Sequence, residues 1–278
     1  MRLFQTIKNN NLFVNILYAN IVIFIVINLI NVIGFLFEKE YGIIHYLGVS
    51  ANLETLSKSP WTIISYMFIH IDFFHLLVNL FWLYFGGNIF IQYLSQKQLL
   101  STYLMGGMIG AIVYIIAFNL FPVFDTIKES SLAIGASASV LAILFAIASY
   151  VPNYTINLTL LGSIKLKHIA IIALILDILS IPKGNAGGHI AHLGGALYGF
   201  IYILMLKRNI NTNYFIEQII LLLSNSTRIK QKKYENDYEY NARKRSEDKE
   251  VNKILDKISK SGYDSLSSEE KKTLFKHK

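Results

Sequence analysis

The stretch GGHIAHLGGALYG (Gly187–Gly199) places two histidines and a ridge of glycines inside an apolar run. Gly195 and Gly199 are four residues apart, a small-xxx-small spacing that lets a second helix approach closely within a membrane. His192 precedes Gly195 by three residues and so points near the same closely packed face, within reach of a side chain on a neighbouring helix. His189, one turn earlier, is nearer the mouth of the helix, where a capping or water-exposed role is more common.

The composition around this stretch is typical of a protein that crosses a membrane several times. The 278 residues are 53% hydrophobic and 16% charged, with a mean hydropathy of +0.43, whereas soluble domains carry about 25% charged residues. The net charge of +8 is concentrated in the tail, because 17 of the 26 basic and 11 of the 18 acidic residues lie from Lys207 onward. The chain has no cysteine, which excludes disulfides and thiolate catalysis.

Six segments are candidates for a membrane span, which needs about 20 mostly apolar residues. They are Leu12–Phe37, Trp61–Tyr93, Leu99–Phe121, Leu132–Val151, Lys167–Ile181 and Gly188–Leu206. The first run is too long for the core of a signal peptide and indicates a retained anchor. Basic residues dominate the short segments on the side of both termini, which predicts that both termini are cytoplasmic. We therefore expect an all-α polytopic membrane protein, a bundle of six transmembrane helices with a small cytoplasmic helical tail.

The sequence predicts four parts. Residues 1–11 form a cytoplasmic N-terminus, and residues 12–206 form the six-helix membrane core. Residues 207–250 begin with NYFIEQIILLLSN (Asn213–Asn225), which indicates an interfacial helix, and continue as a highly charged linker. Residues 251–278 show apolar positions at helical spacing and predict a short helical C-terminal element.

Polar side chains inside the spans are costly in a membrane and are functional hypotheses by default. His75 and Asn79 are four residues apart in the second span, so both can donate hydrogen bonds toward one point. Converging donors suit a developing oxyanion, and interhelical hydrogen bonding is the alternative interpretation. Asp177, late in the fifth span, has no evident partner in the sequence.

The run AIGASASV (Ala133–Val140) places two serines at a predicted loop-to-helix transition. Ser137 follows Gly135 there, among the free N–H groups and the positive dipole end of a helix, and these suit an oxyanion. Packing, with the hydroxyls of Ser137 and Ser139 bonded back to carbonyls, is the other interpretation. A serine activated by a histidine base, with donors from a second helix, forms an acyl-transfer site. Since no carboxylate is evidently close to His192, we expect a Ser–His dyad.

Three motifs occur in order on spans two, four and six, and together they resemble the rhomboid family of intramembrane serine proteases. The resemblance extends from Trp61 to Leu206. The motif residues are His70, His75 and Asn79, then Gly135 and Ser137, then His192, Gly195 and Gly199. Two positions depart from the family pattern: Ala138 stands where the family's motif has a second glycine, and Thr62 follows Trp61 where many members have arginine.

The resemblance implies a six-helix bundle in which Ser137 is the nucleophile and His192 the general base. It implies that His75 and Asn79, with the backbone N–H of Ser137, stabilise the oxyanion. It also implies no metal, nucleotide or other cofactor and no nucleic-acid partner. The implied partners are the lipid bilayer and transmembrane protein substrates, cut in or near their membrane-spanning segments. The six-span type implies a bacterial cytoplasmic membrane, crossed several times, N-in and C-in.

Two other functions remain open at this point. A catalytically inactive rhomboid-like protein would bind membrane clients without cutting them, although such a protein commonly lacks the serine or the histidine. A metal- or haem-binding membrane protein using His75, His189 and His192 would explain the histidines and would leave the Gly135–Ser137 motif unexplained. The oligomeric state cannot be read from these residues.

Overall fold

The structure of the protein is a computed structural model that describes residues 11–158, 162–223, 253–259, 261–267 and 269–271. Most of the predicted N-terminal segment and of the predicted charged linker lies outside these residues.

The described residues are mainly helical, which confirms the expected all-α class. The helices are α1 (Leu12–Leu36), α2 (Ile43–Leu47), α3 (Leu53–Lys58), α4 (Thr62–Ser65), α5 (Phe73–Tyr93), α6 (Gln96–Leu120), α7 (Ser137–Tyr150), α8 (Leu166–Ser180), α9 (Ala186–Leu206) and α10 (Tyr214–Leu223). The 3₁₀ turns are Tyr66–Phe68, Pro122–Phe124, Ile181–Lys183 and Tyr263–Ser265. A further helical segment covers residues 253–259. The strands are β1 (Val49–Ser50), β2 (Leu132–Ala133), β3 (Thr155–Leu158) and β4 (Gly162–Lys165).

Four of these helices, α1, α5, α6 and α9, are long and apolar enough to cross a membrane. The protein is therefore a multi-pass membrane protein. The other two predicted spans correspond to α7, with 14 residues, and α8, with 15 residues, which are shorter than the roughly 20 residues that a full span needs. The count of six spans stays a prediction.

The fourth predicted span is longer than its helix because its first residues form a loop. Leu132 and Ala133 pair as a strand, and α7 begins only at Ser137. The β2 strand pairs antiparallel with β1, with Val49 opposite Ala133. Sequence patterning did not predict either strand, since two residues are too few to show an alternating period. The β3–β4 hairpin, with Thr155 opposite Lys165, was not predicted either.

Helix α7 is the central helix of the bundle and packs against α5, α6 and α9. The contact with α9 runs along the glycine ridge of that helix. A Cβ atom at Gly195 would collide with the carbonyl oxygen of Ala138, and one at Gly199 with that of Ala142. The absence of side chains on this ridge brings two backbones together, and the contact fixes the rotation and depth of α9 against α7.

The described residues belong to two compact units, Met1–Lys232 and Lys233–Lys278. In the first unit α10 packs on α6. The fully buried Asn213, just before α10, connects this helix to the bundle. Its amide donates to Thr102 Oγ1 at 3.1 Å, and its Oδ1 accepts from the Tyr198 hydroxyl. In the second unit Ser267 and Glu270 exchange the two hydrogen bonds of a capping box.

Candidate active site

Ser137 is the first residue of α7, and its side chain is partly accessible. The first hydrogen bond of the helix runs from Val140 N–H to the carbonyl of Ala136, at 2.9 Å. The N–H groups of Ser137, Ala138 and Ser139 come before that bond, and the cap residue Ala136 makes no side-chain capping bond. These amides therefore point out of the helix beside the Ser137 hydroxyl, where they suit a developing negative charge.

The loop before Ser137 is held from both sides by hydrogen bonds. Gly135 N–H donates to the carbonyl of Tyr66 at 2.9 Å, and Ala136 N–H donates to Nε2 of the fully buried His70 at 3.3 Å. Gly135 has φ +118, a conformation that L side chains rarely adopt, and a Cβ there would lie 2.7 Å from Cε1 of His75. Glycine at position 135 thus serves both the turn and the close approach of the His75 ring.

His192 lies directly beside Ser137. Its Nε2 is 2.6 Å from Ser137 Oγ, a hydrogen-bond distance across the α7–α9 contact. Ser139, the second candidate hydroxyl, is fully buried, and its Oγ lies 3.8 Å from Met67 Sδ. The structure therefore brings together Ser137 and His192, and it turns Ser139 into the core.

Asp177 on α8 is the residue that sequence reasoning left without a partner. Its Oδ1 lies 2.7 Å from Nδ1 of His192 and 2.7 Å from Nδ1 of His189. A carboxylate on Nδ1 favours the tautomer that carries its proton there, which leaves Nε2 free to accept the Ser137 proton. The sequence signal that points to Asp177 is its isolation from other acids, since it is the sole acidic residue between Glu129 and Glu217.

The three side chains Asp177, His189 and His192 also form the one cluster of potential metal ligands among the described residues, with ligand atoms within 4.8 Å of one another. Two ligands at about 2.05 Å from a tetrahedral Zn²⁺ are roughly 3.3 Å apart. The observed separations of 2.7 Å are shorter and have hydrogen-bond length. His75, the third histidine of the metal or haem hypothesis, does not belong to this cluster. The arrangement fits hydrogen bonding of two imidazoles to one carboxylate better than a metal centre.

The two predicted oxyanion donors occupy different positions relative to Ser137. The His75 ring packs on Gly135, two residues before the hydroxyl. Asn79 is buried one turn along α5, and its amide donates to the carbonyl of His75 on its own helix at 2.9 Å. His75 thus lies against the loop that carries Ser137, and Asn79 supports the turn of α5 that carries His75.

The site is half-buried. The side chains of Asp177, His192 and His189 are 13%, 19% and 22% exposed, which leaves the cluster in contact with its surroundings. A nucleophile, a base, an orienting carboxylate and unsatisfied amides within one such site have the chemistry for acyl transfer.

Comparison with known proteins finds relatives in animals and a plant. The chain is 33% identical over 140 residues to presenilin-associated rhomboid-like protein A, mitochondrial, of Danio rerio. It is 29% identical over 144 residues to RHOMBOID-like protein 12, mitochondrial, of Arabidopsis thaliana, and 28% identical over 143 residues to presenilin-associated rhomboid-like protein, mitochondrial, of Bos taurus. Each match covers 49% of this chain and 35%, 43% and 35% of the relatives' own lengths, respectively.

These relatives contradict the expected location in a bacterial cytoplasmic membrane. All three carry names of mitochondrial proteins from eukaryotes. The expected bacterial location came from the family resemblance alone. Hydropathy and loop charge predict the spans and their orientation, but they do not distinguish a bacterial membrane from a mitochondrial one. The assignment of both termini to a bacterial cytoplasm is withdrawn with it.

Two family models match the chain, in separate regions. A family of unknown function, DUF6576, matches residues 234–277. The Rhomboid domain matches residues 57–209, which is more than half of the chain and includes each of the site residues described above. The chain belongs to the rhomboid family.

Proposed function

We propose that the protein is an intramembrane serine endopeptidase that hydrolyses peptide bonds in or near the membrane-spanning segments of other proteins. The observation that carries this proposal is the 2.6 Å distance from His192 Nε2 to Ser137 Oγ. A general base within hydrogen-bond reach of a hydroxyl at a helix N-terminus is the arrangement that activates a serine.

In the first half of the reaction Ser137 Oγ attacks the scissile carbonyl and transfers its proton to Nε2 of His192. Asp177 holds the Nδ1 proton and stabilises the imidazolium, so it acts as the orienting member of the site. The oxyanion accepts hydrogen bonds from the N–H groups at the start of α7, with His75 as the adjacent side-chain donor and Asn79 behind it. The imidazolium then protonates the leaving amine, and an acyl-enzyme on Ser137 remains.

In the second half a water molecule loses its proton to His192 Nε2 and attacks the acyl carbon. Collapse of the second tetrahedral intermediate returns the proton to Ser137 and releases the new carboxyl terminus. The partly exposed side chains of the site give water this access. No step needs a metal or an organic cofactor.

The experiment is proteolysis in liposomes, with the purified protein and a fluorescent transmembrane substrate. Wild type and Ser139→Ala are expected to cleave, and Ser137→Ala and His192→Ala are expected to be inactive while retaining the helical circular dichroism of wild type. Cleavage by Ser137→Ala at the wild-type rate would overturn the proposal. Absence of cleavage by wild type across a panel of substrates, with substrate binding retained, would support the client-binding alternative in its place.

A further inference from the structure

A long apolar groove lies between α7, α8 and α9, beyond the Asp177–His192 contact. Its walls include Phe145 and Ala148 of α7, Ala170 and Leu174 of α8, and Leu197 and Leu204 of α9, and its volume is about 530 Å³. We call it the α7–α8–α9 groove. Ligand pockets commonly have about 300–1,000 Å³, so the groove has the capacity for a bound molecule.

The length and the mainly apolar walls of the α7–α8–α9 groove suit a single hydrocarbon chain. Its α9 wall runs from Leu193 to Leu204, which is about 16 Å at 1.5 Å per residue. An extended peptide would need partners for its backbone N–H and C=O groups, and these walls are mainly apolar.

One end of the groove is basic. Lys167 is part of the wall at the start of α8. Lys207, just after α9, donates from Nζ to the carbonyl of Ser149 at 2.9 Å, and Ser149 is also a wall residue. Lys167 and Lys207 therefore lie at the same end of the bundle, opposite the end that holds Ser137.

Among the described residues of the first unit, few carboxylates lie near this end in the chain. Between residues 130 and 216 the sequence has one acidic residue, Asp177, which bonds the two histidines and lies ten residues, or about 15 Å, along α8 from Lys167. Glu217 follows on α10, where its carboxylate accepts from Asn211 at 3.2 Å and where α10 packs on α6. Within the described residues this end therefore keeps its positive charge, which suits an anionic ligand.

We propose that the α7–α8–α9 groove binds an anionic glycerophospholipid, with one acyl chain along the apolar walls and the phosphate at Lys167 and Lys207. An apolar slot within the membrane that ends in basic side chains matches this combination of tail and headgroup. The bound acyl chain fills the space beside α8. The structure describes all of this helix, and only its residues Leu166 and Ala170 are buried. The lipid therefore stabilises the position of the helix that carries Asp177.

The test measures lipid binding and needs no proteolysis. Full-length Ser137→Ala protein in a neutral detergent is titrated with fluorescent phosphatidylglycerol or with phosphatidylcholine that has the same acyl chains. We expect phosphatidylglycerol to bind about tenfold more tightly and to raise the midpoint of thermal unfolding. Equal binding of the two lipids, or binding of neither, overturns the proposal, and both results are independent of whether the protein is a protease.

Two variants locate the binding. Lys167→Gln/Lys207→Gln is expected to lose the preference for phosphatidylglycerol, while the matched control Lys39→Gln/Lys183→Gln, changed at the opposite end, keeps it. Leu197→Trp places an indole in the groove from its exposed side and is expected to weaken both lipids several-fold. An unchanged preference in the first variant overturns the headgroup assignment. A different result would assign the groove to the substrate and overturn the proposal. In that case a transmembrane substrate peptide displaces the lipid, and Leu197→Trp prevents binding of the peptide but not of the lipid.

Discussion

The carboxylate of Asp177 lies 2.7 Å from Nδ1 of His192, on a different helix and 15 positions earlier in the chain. The opposite nitrogen of the same ring lies 2.6 Å from Ser137 Oγ. Three helices, α7, α8 and α9, thus contribute one polar side chain each to a continuous hydrogen-bonded line. Because His189 bonds the same carboxylate oxygen at 2.7 Å, two hydrogen bonds join α8 to α9.

The role of Asp177 is tested by Asp177→Asn. The amide keeps the shape of the side chain, loses the charge that stabilises the imidazolium, and can donate to Nδ1, which favours the wrong tautomer of His192. We expect kcat to fall on the order of 10²-fold or more with a small change in KM. Asp125→Asn, at an exposed carboxylate that pairs with Lys128, is the matched control. A kcat within twofold of wild type would remove Asp177 from the mechanism.

Gly135→Ala tests the loop that presents Ser137. The new Cβ would meet the His75 ring at 2.7 Å in a backbone conformation of φ +118, and such strain costs about 1–3 kcal/mol. We expect a lower unfolding midpoint together with a large loss of kcat/KM. Gly162→Ala is the control, since Gly162 also has a positive φ, +72, and no atom of the described residues lies within 4 Å of the new Cβ. If both variants lose activity equally, backbone strain alone is responsible and the His75 contact is not.

The glycine ridge of α9 is tested by Gly199→Val. The side chain would press on the Ala142 carbonyl, push α9 away from α7 and lengthen the distance between His192 and Ser137. Overpacking of this kind costs about 1–3 kcal/mol, so we expect a lower unfolding midpoint and reduced cleavage. Ile201→Phe, on an exposed part of the same helix, is expected to change neither quantity. Full activity in Gly199→Val would show that α7 and α9 can accommodate the larger side chain without separating His192 from Ser137.

Asn213→Ala tests how α10 is attached to the helices of the first unit. The change removes the partner of Thr102 and of the Tyr198 hydroxyl, and a buried polar group left without its partner costs about 1–3 kcal/mol. We expect thermal unfolding at a lower temperature, with kcat nearly unchanged because the site is elsewhere. The exposed Asn153 provides the matched control, Asn153→Ala. Equal midpoints for the two variants would mean that the buried contact contributes little.

The sequence by itself determined the family, the helical class and the identity of the motif residues. Hydropathy placed the first helix at Leu12–Phe37 against the observed Leu12–Leu36, because a long apolar run is a local property that needs no tertiary contact. The glycine spacing of Gly195 and Gly199 likewise indicated the close helix contact.

The tertiary structure alone decided which side chains meet. Asp177 reaches His192 because the glycine ridge sets the rotation and depth of α9 against α7, and because α8 packs on both of these helices. The end of α8, a 3₁₀ turn and the first third of α9 separate Asp177 from His192 in the chain. A change of one residue in helix phase, about 100°, would direct the carboxylate elsewhere. The β1–β2 pair, which joins residues 49–50 to the segment before Ser137, depends on the same long-range placement and leaves no period in the sequence.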